Sequence, residues 1–139
     1  MGARTKARKR ALDVLFEAEQ RGVRPHDVYL RVAREASSPL NPYTEQLVNG
    51  VVAQVDRIDE LIATYAEGWS LDRMPAVDRN LLRIGIYEIM FVEDVPANVA
   101  IDEAVTLAGE LSTDDSPAFI NGVLGRIASL KPRLSGATD

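Results

Sequence analysis

Apolar residues recur along this chain at spacings of three and four, and strand-like alternation is absent. Ala7, Ala11, Val14, Leu15 and Ala18 make one helical face, which Gly22 and Pro25 bring to an end. A shorter helix is predicted over 27–36, stopped by Ser37-Ser38-Pro39. Asn41 followed by Pro42 combines an N-cap residue with proline at the first helical position. It opens a long helix predicted over 42–66, with Leu47, Val51, Val55, Ile58 and Ile62 as its stripe. Gly68 closes that helix, and 69–75 reads as a connector with a helical turn at 71–74.

The next helix, predicted over 76–92, is apolar nearly all round, with Val77, Leu81, Leu82, Ile84, Ile86, Tyr87, Ile89, Met90 and Phe91. A helix of that kind belongs in the middle of a bundle. Asp94-Val95-Pro96 breaks it. Ala100, Ala104, Val105, Leu107 and Ala108 mark a further helix, and Ser116-Pro117 reads as N-cap plus first residue of the last one, which buries Ile120, Val123, Leu124, Ile127 and Leu130. The expected fold is all-α, a compact bundle of about six to seven helices in two three-helix-like halves. A single domain is expected over 1–139, with an N-terminal half over 1–67, a connector over 68–75, a C-terminal half over 76–132 and a loose tail over 133–139.

A length of 139 residues supports one domain with a real core. The longest uncharged apolar stretch, 84–87 resuming after Glu88 to 92, is too short to span a bilayer, so no membrane segment is expected. Asp13, Glu17 and Glu19 interrupt the apolar run behind the charged start, which argues against a signal peptide, and the absence of cysteine agrees with a cytoplasmic protein. Charge changes the picture more. The chain carries a formal net charge of −5, yet five of its 16 Lys and Arg residues, Arg4, Lys6, Arg8, Lys9 and Arg10, fall in one heptapeptide. Such a cluster on an acidic body can neutralise several phosphates of a nucleic acid or an anionic surface, or can simply be a solvated end.

Catalytic chemistry is poorly represented. With one histidine, His26, and no cysteine, a zinc site would rest on carboxylates; no metal or cofactor is expected, and an enzyme is not the expected reading. The acid pairs Asp59-Glu60, Glu93-Asp94, Asp102-Glu103 and Asp114-Asp115 are adjacent residues, which point about 100° apart on a helix and do not converge. Binding chemistry is richer. Phe16 falls near the azimuth of Lys9, where a ring beside a cation suits single-stranded RNA, although packing under the second helix accounts for it as well. Tyr65 is equally open. In the stretch Asp114-Asp115-Ser116-Pro117-Ala118-Phe119-Ile120-Asn121-Gly122, Phe119 lies at the edge of the apolar stripe, and the carboxylates serve either as caps or as acceptors for base amino groups.

The basic start followed by Ala11-Leu12-Asp13-Val14-Leu15-Phe16, together with Asp78-Arg79-Asn80-Leu81-Leu82-Arg83-Ile84, Asp94-Val95-Pro96, Ile101-Asp102-Glu103-Ala104-Val105 and Asp115 through Leu124, resembles the NusB family of transcription antitermination factors. The form of the last motif looks like the actinobacterial branch. The resemblance implies a non-enzymatic RNA-binding scaffold. Similar proteins pair with NusE, a small-subunit ribosomal protein, on the boxA element of nascent RNA, so that the RNA polymerase elongation complex with other Nus factors resists termination, notably on ribosomal RNA operons, and the resemblance implies the same partners here. It further implies that Arg4, Lys6, Arg8, Lys9 and Arg10 meet the RNA backbone, that Phe16, Tyr65, Asp115 and Phe119 lie near the bases, and that Asp78 faces NusE. Phe16 replaces a tyrosine of other members, which keeps stacking and loses a hydroxyl. Similar domains front certain ribosomal RNA methyltransferases, but this sequence has no Gly-rich cofactor loop or cysteine nucleophile. The remaining alternative is a homodimeric helical interaction scaffold without specific RNA recognition.

Overall fold

The computed structural model describes residues 2–136, among which there are seven α-helices and no strand. By packing, the chain forms two compact units, Met1–Gln54 and Val55–Asp139. The first holds α1 (Ala3–Arg21), α2 (Pro25–Glu35) and α3 (Pro42–Ala53). Ala11, Leu12, Val14 and Ala18 of α1 are buried with Leu47 and Val48 of α3 and Val28 of α2. Gly22 ends α1 in the left-handed region (φ 68°), where its N–H reaches Ala18 O and Glu19 O, a geometry only glycine adopts without strain. Asn41 caps α3 by accepting from the Tyr43 N–H at 2.9 Å, and the buried Thr44 hydroxyl donates to Ala7 O at 3.3 Å, tying α3 to α1.

The second unit holds α4 (Val55–Tyr65), α5 (Ala76–Phe91), α6 (Ala97–Leu111) and α7 (Ser116–Gly136). The nearly all-apolar α5 sits at its centre, packed by α4, α6 and α7. Gly85 is what lets α7 come close, since a Cβ there would lie 2.7 Å from Leu124 Cδ1. Across the α4–α5 contact Arg83 forks onto Asp59, Nε to Oδ1 at 2.9 Å and Nη2 to Oδ2 at 3.0 Å, the strong geometry for a guanidinium and a carboxylate.

Three boundaries differ from the sequence reading. The long helix expected over 42–66 is two helices, broken at Gln54 (φ −112°, ψ 14°). Neither proline nor a left-handed glycine causes the break. The stripe changes allegiance there: Leu47 and Val51 serve the core of the first unit, while Ile58, Leu61 and Ile62 pack with α5 and α7, so α4 goes with the second unit rather than with the N-terminal half. Ser116 is the first residue of α7 rather than its cap, and its hydroxyl has another task, described below. The last helix runs past Pro132 to Gly136, so positions 133–136 of the expected loose tail are helical, and 137–139 lie outside the described residues.

Candidate nucleic-acid interface

On α1 the basic heptapeptide divides by helical geometry. Lys6 and Arg10, four apart, are exposed and border a shallow cleft of about 230 Å3 closed by Ser38, Pro39 and Asn41. Lys9 is half-buried and shares its stripe with Asp13 and Phe16, four and seven residues on. Arg4 is exposed, with its guanidinium 4.4 Å from the Tyr43 ring centroid. Arg8 departs from expectation. It is 3% exposed, lies 5.8 Å from the same ring, and follows the spacing of the buried Leu12 and Leu15 rather than that of its cationic neighbours. A guanidinium so placed supports the Tyr43 packing by a cation–π contact and is not presented to a phosphate. The i, i+4, i+7 run Arg8-Leu12-Leu15 was the signal for this, hidden by the composition of the cluster.

Phe16 is 37% exposed, so its ring is partly covered by the first unit and partly open at its surface. Beside it on the helix, Glu17 accepts from Arg21 at 2.9 Å and from Arg31 at 2.6 Å. These hydrogen bonds, Arg21's first and then Arg31's, hold the Glu17 carboxyl below the usual carboxylate range, and Glu17 in turn raises the Arg31 pKa. Glu17 is therefore occupied by arginines outside the basic row, whereas at Asp13 partial burial raises the pKa against the attraction of Lys9 and Arg10 of the row itself. His26, through Nδ1, is 3.1 Å from Asn49 Oδ1 and its ring stacks on Tyr29, a polar and packing role.

In the second unit Tyr65 and Phe119, both half-buried, line one surface cleft of about 340 Å3 with Gly122 and Arg126. Asp115 is exposed one turn before Phe119, whose N–H donates to Asp115 O at 3.2 Å. The structure thus brings Tyr65 to Phe119 and places Asp115 on the turn that carries it. Among the described residues no group of three or more His, Cys, Asp or Glu is arranged to hold a metal ion, and no helix is long and apolar enough to cross a membrane.

The first unit thus carries a basic helix face and the second an aromatic cleft with an acid beside it, each a kind of surface that nucleic-acid-binding proteins use. The model of the NusB family matches residues 5–129. The chain belongs to the NusB family. It is 58% identical over 135 residues to the transcription antitermination protein NusB of Pseudarthrobacter chlorophenolicus, covering 96% of this chain and 98% of that one. It is 57% identical over 135 residues to NusB of Kineococcus radiotolerans, covering 97% and 99%. Among solved structures, T. maritima NusB superimposes with a TM-score of 0.83 at 32% identity, covering 93% of this chain and 92% of that one. A crystal structure of antitermination factors NusB and NusE in complex with dsRNA matches with a TM-score of 0.82 at 29% identity, covering 93% and 98%.

Against the NusB pattern a second residue, besides Arg8, departs from expectation. Asp78, expected to face NusE, is 2% exposed. Its Oδ1 accepts from the Ser112 hydroxyl at 2.5 Å and its Oδ2 from the Ser116 hydroxyl at 2.8 Å, while Ser116 Oγ also accepts from the Thr113 N–H at 3.2 Å. Asp78 is an internal tie that fixes the turn between α6 and α7, and with it Asp115 and Phe119. Sequence reasoning also passed over Arg79, whose Nη1 donates to Leu71 O at 2.6 Å and Met74 O at 3.2 Å and so pins the connector. For Asp78, a serine partner 34 or 38 positions away leaves no local pattern to read.

Proposed function

We propose that this NusB-family chain is a transcription antitermination factor that binds the boxA element of nascent RNA together with NusE. The assembly then helps the RNA polymerase elongation complex, with other Nus factors, to resist termination, notably on ribosomal RNA operons. Its role is binding rather than catalysis, and its setting is the cytoplasm. The observation that carries this reading is the row Arg4, Lys6, Lys9 and Arg10, set at the start of an otherwise acidic chain whose family is that of the antitermination factors.

The chemistry divides between the two units. The α1 cations follow the phosphates and supply salt-sensitive, sequence-independent affinity, with Phe16 beside them as a ring for stacking. Tyr65 and Phe119 offer ring faces, and Asp115 accepts from a base amino group. Four cations alone give weak binding at physiological salt, so NusE completes the affinity. Linkage then requires NusE to strengthen RNA binding by the factor by which RNA strengthens NusE binding.

Phe119→Ala tests the division. Loss of one stacked base costs about 1 to 3 kcal/mol, roughly 5- to 150-fold in boxA affinity. The salt slope stays as in the parent and the preference for boxA over a scrambled RNA shrinks. A variant whose slope falls while its preference survives would show that the roles of the two patches are exchanged. The homodimeric scaffold predicts no preference between the two RNAs at any stage.

A further inference from the structure

Phe119 is the shared wall of two clefts. Tyr65 and Arg126 lie on one side; on the other, Trp69, Met74, Pro75 and Asp115 surround a second and mostly apolar cleft of about 290 Å3. Trp69 is 51% exposed, a large ring left in water where burial would stabilise the fold. It is nevertheless held in place. Gly68 turns the chain at φ 83°, the Trp69 N–H donates to Ala66 O at 3.2 Å, and the N–H groups of Arg73 and Met74 both reach Ser70 O. Arg79 clamps the next carbonyls at Leu71 and Met74, and the Met74 side chain is buried beneath. The indole meets Phe119 edge to face, with centroids 6.4 Å apart and planes at 63°. An exposed ring, fixed by its backbone and standing over a cleft with a carboxylate at its rim, is preorganised to receive a flat ligand with an amino donor.

We propose that this cleft is a second base pocket, in which a nucleobase stacks on Trp69 and its exocyclic amino group donates to the Asp115 carboxylate. Cytosine fits the chemistry best, because its amino group is the natural partner of an aspartate. Phe119 then separates two neighbouring bases, one against Tyr65 and one against Trp69. The proposal rests on the antitermination reading for the identity of the RNA. It adds a stacking residue that is absent from the set the family pattern supplied, and it gives Asp115 a defined partner.

Trp69 is the only tryptophan of the chain, so its emission reports on the pocket directly. Fluorescein-labelled boxA RNA is titrated into the full chain in the presence of NusE, following RNA anisotropy and tryptophan emission together, with the Trp69→Phe complex subtracted as background. Emission is quenched with the same midpoint as the anisotropy. Trp69→Ala weakens boxA binding by about tenfold, as for the loss of one stacked base, and Trp69→Phe keeps most of the affinity. In a series of RNAs with single abasic positions, one member abolishes the quenching and binds the parent and Trp69→Ala alike. Restoring at that position a base without an amino group costs the parent affinity and leaves Asp115→Ala indifferent. Tight boxA binding with unchanged emission and full affinity in Trp69→Ala would overturn the second pocket while leaving the antitermination reading intact. Absence of any boxA preference in the parent would overturn both.

Discussion

Replacing Lys6, Lys9 and Arg10 together by alanine lowers boxA affinity by about a hundredfold at 0.1 M salt. Each phosphate neutralised on a single strand contributes about 0.7 to the slope of log affinity against log salt, so three lost contacts flatten that slope by about two units, or two decades of affinity per decade of salt. All three side chains are at least partly exposed, and the loss of Lys9 and Arg10 removes only their through-space attraction to Asp13, so the thermal transition moves little. Arg8→Ala behaves in the opposite way. Removing a buried guanidinium from the Tyr43 ring costs stability, and the salt slope is that of the parent. Titrations at four or five salt concentrations separate the cases. An unchanged slope in the triple variant would mean that the basic row follows no phosphate.

Asp78→Ala carries the largest expected cost to the fold. The carboxylate is buried and takes two hydroxyl donors, and its removal takes away both charged acceptor oxygens, leaving the Ser112, Thr113 and Ser116 hydroxyls to pair among themselves. Two hydrogen bonds to a charged group, lost together, come to about 3 kcal/mol. For a chain of this size that is a fall in Tm of roughly 10 °C. Because Ser116 opens α7, the turn bearing Asp115 and Phe119 loosens as well, and boxA discrimination falls at temperatures where the variant is still folded. Ser112→Ala and Ser116→Ala each cost less, and their effects do not add with that of Asp78→Ala, since all three belong to one network. Urea melts of the three single variants and of the two doubles that include Asp78→Ala check this. A melt of Asp78→Ala that overlays the parent would return Asp78 to the surface role that the family pattern gave it.

Much of this architecture is legible in the sequence. Gly22, Asn41-Pro42, Gly68 and Ser116-Pro117 mark helix ends by local chemistry, and the apolar face of each helix follows from spacing. The break at Gln54 is not legible, because the stripe continues without interruption in sequence and changes partner only in space. Arg8 is misread for a different reason. Five cations in seven residues suggest one solvated row, and the single position on the buried stripe is visible only when its spacing to Leu12 and Leu15 is weighed first. Asp78 and Trp69 depend on contacts between distant segments, with Ser112 and Ser116 for one and with Phe119 and the Arg79-clamped connector for the other. Phe16 shows how far periodicity goes: it sets the azimuth correctly and leaves open whether a neighbour covers it, which here none does fully.

Joint recognition of boxA by this chain and NusE is measured by the binding of labelled boxA RNA and a scrambled control to the full chain, with and without NusE, across a salt series. The expected result is weak, steeply salt-dependent binding to both RNAs by the chain alone, and a preference for boxA that sharpens when NusE is added and persists at higher salt. Equal binding to the two RNAs, unaffected by NusE, would contradict it.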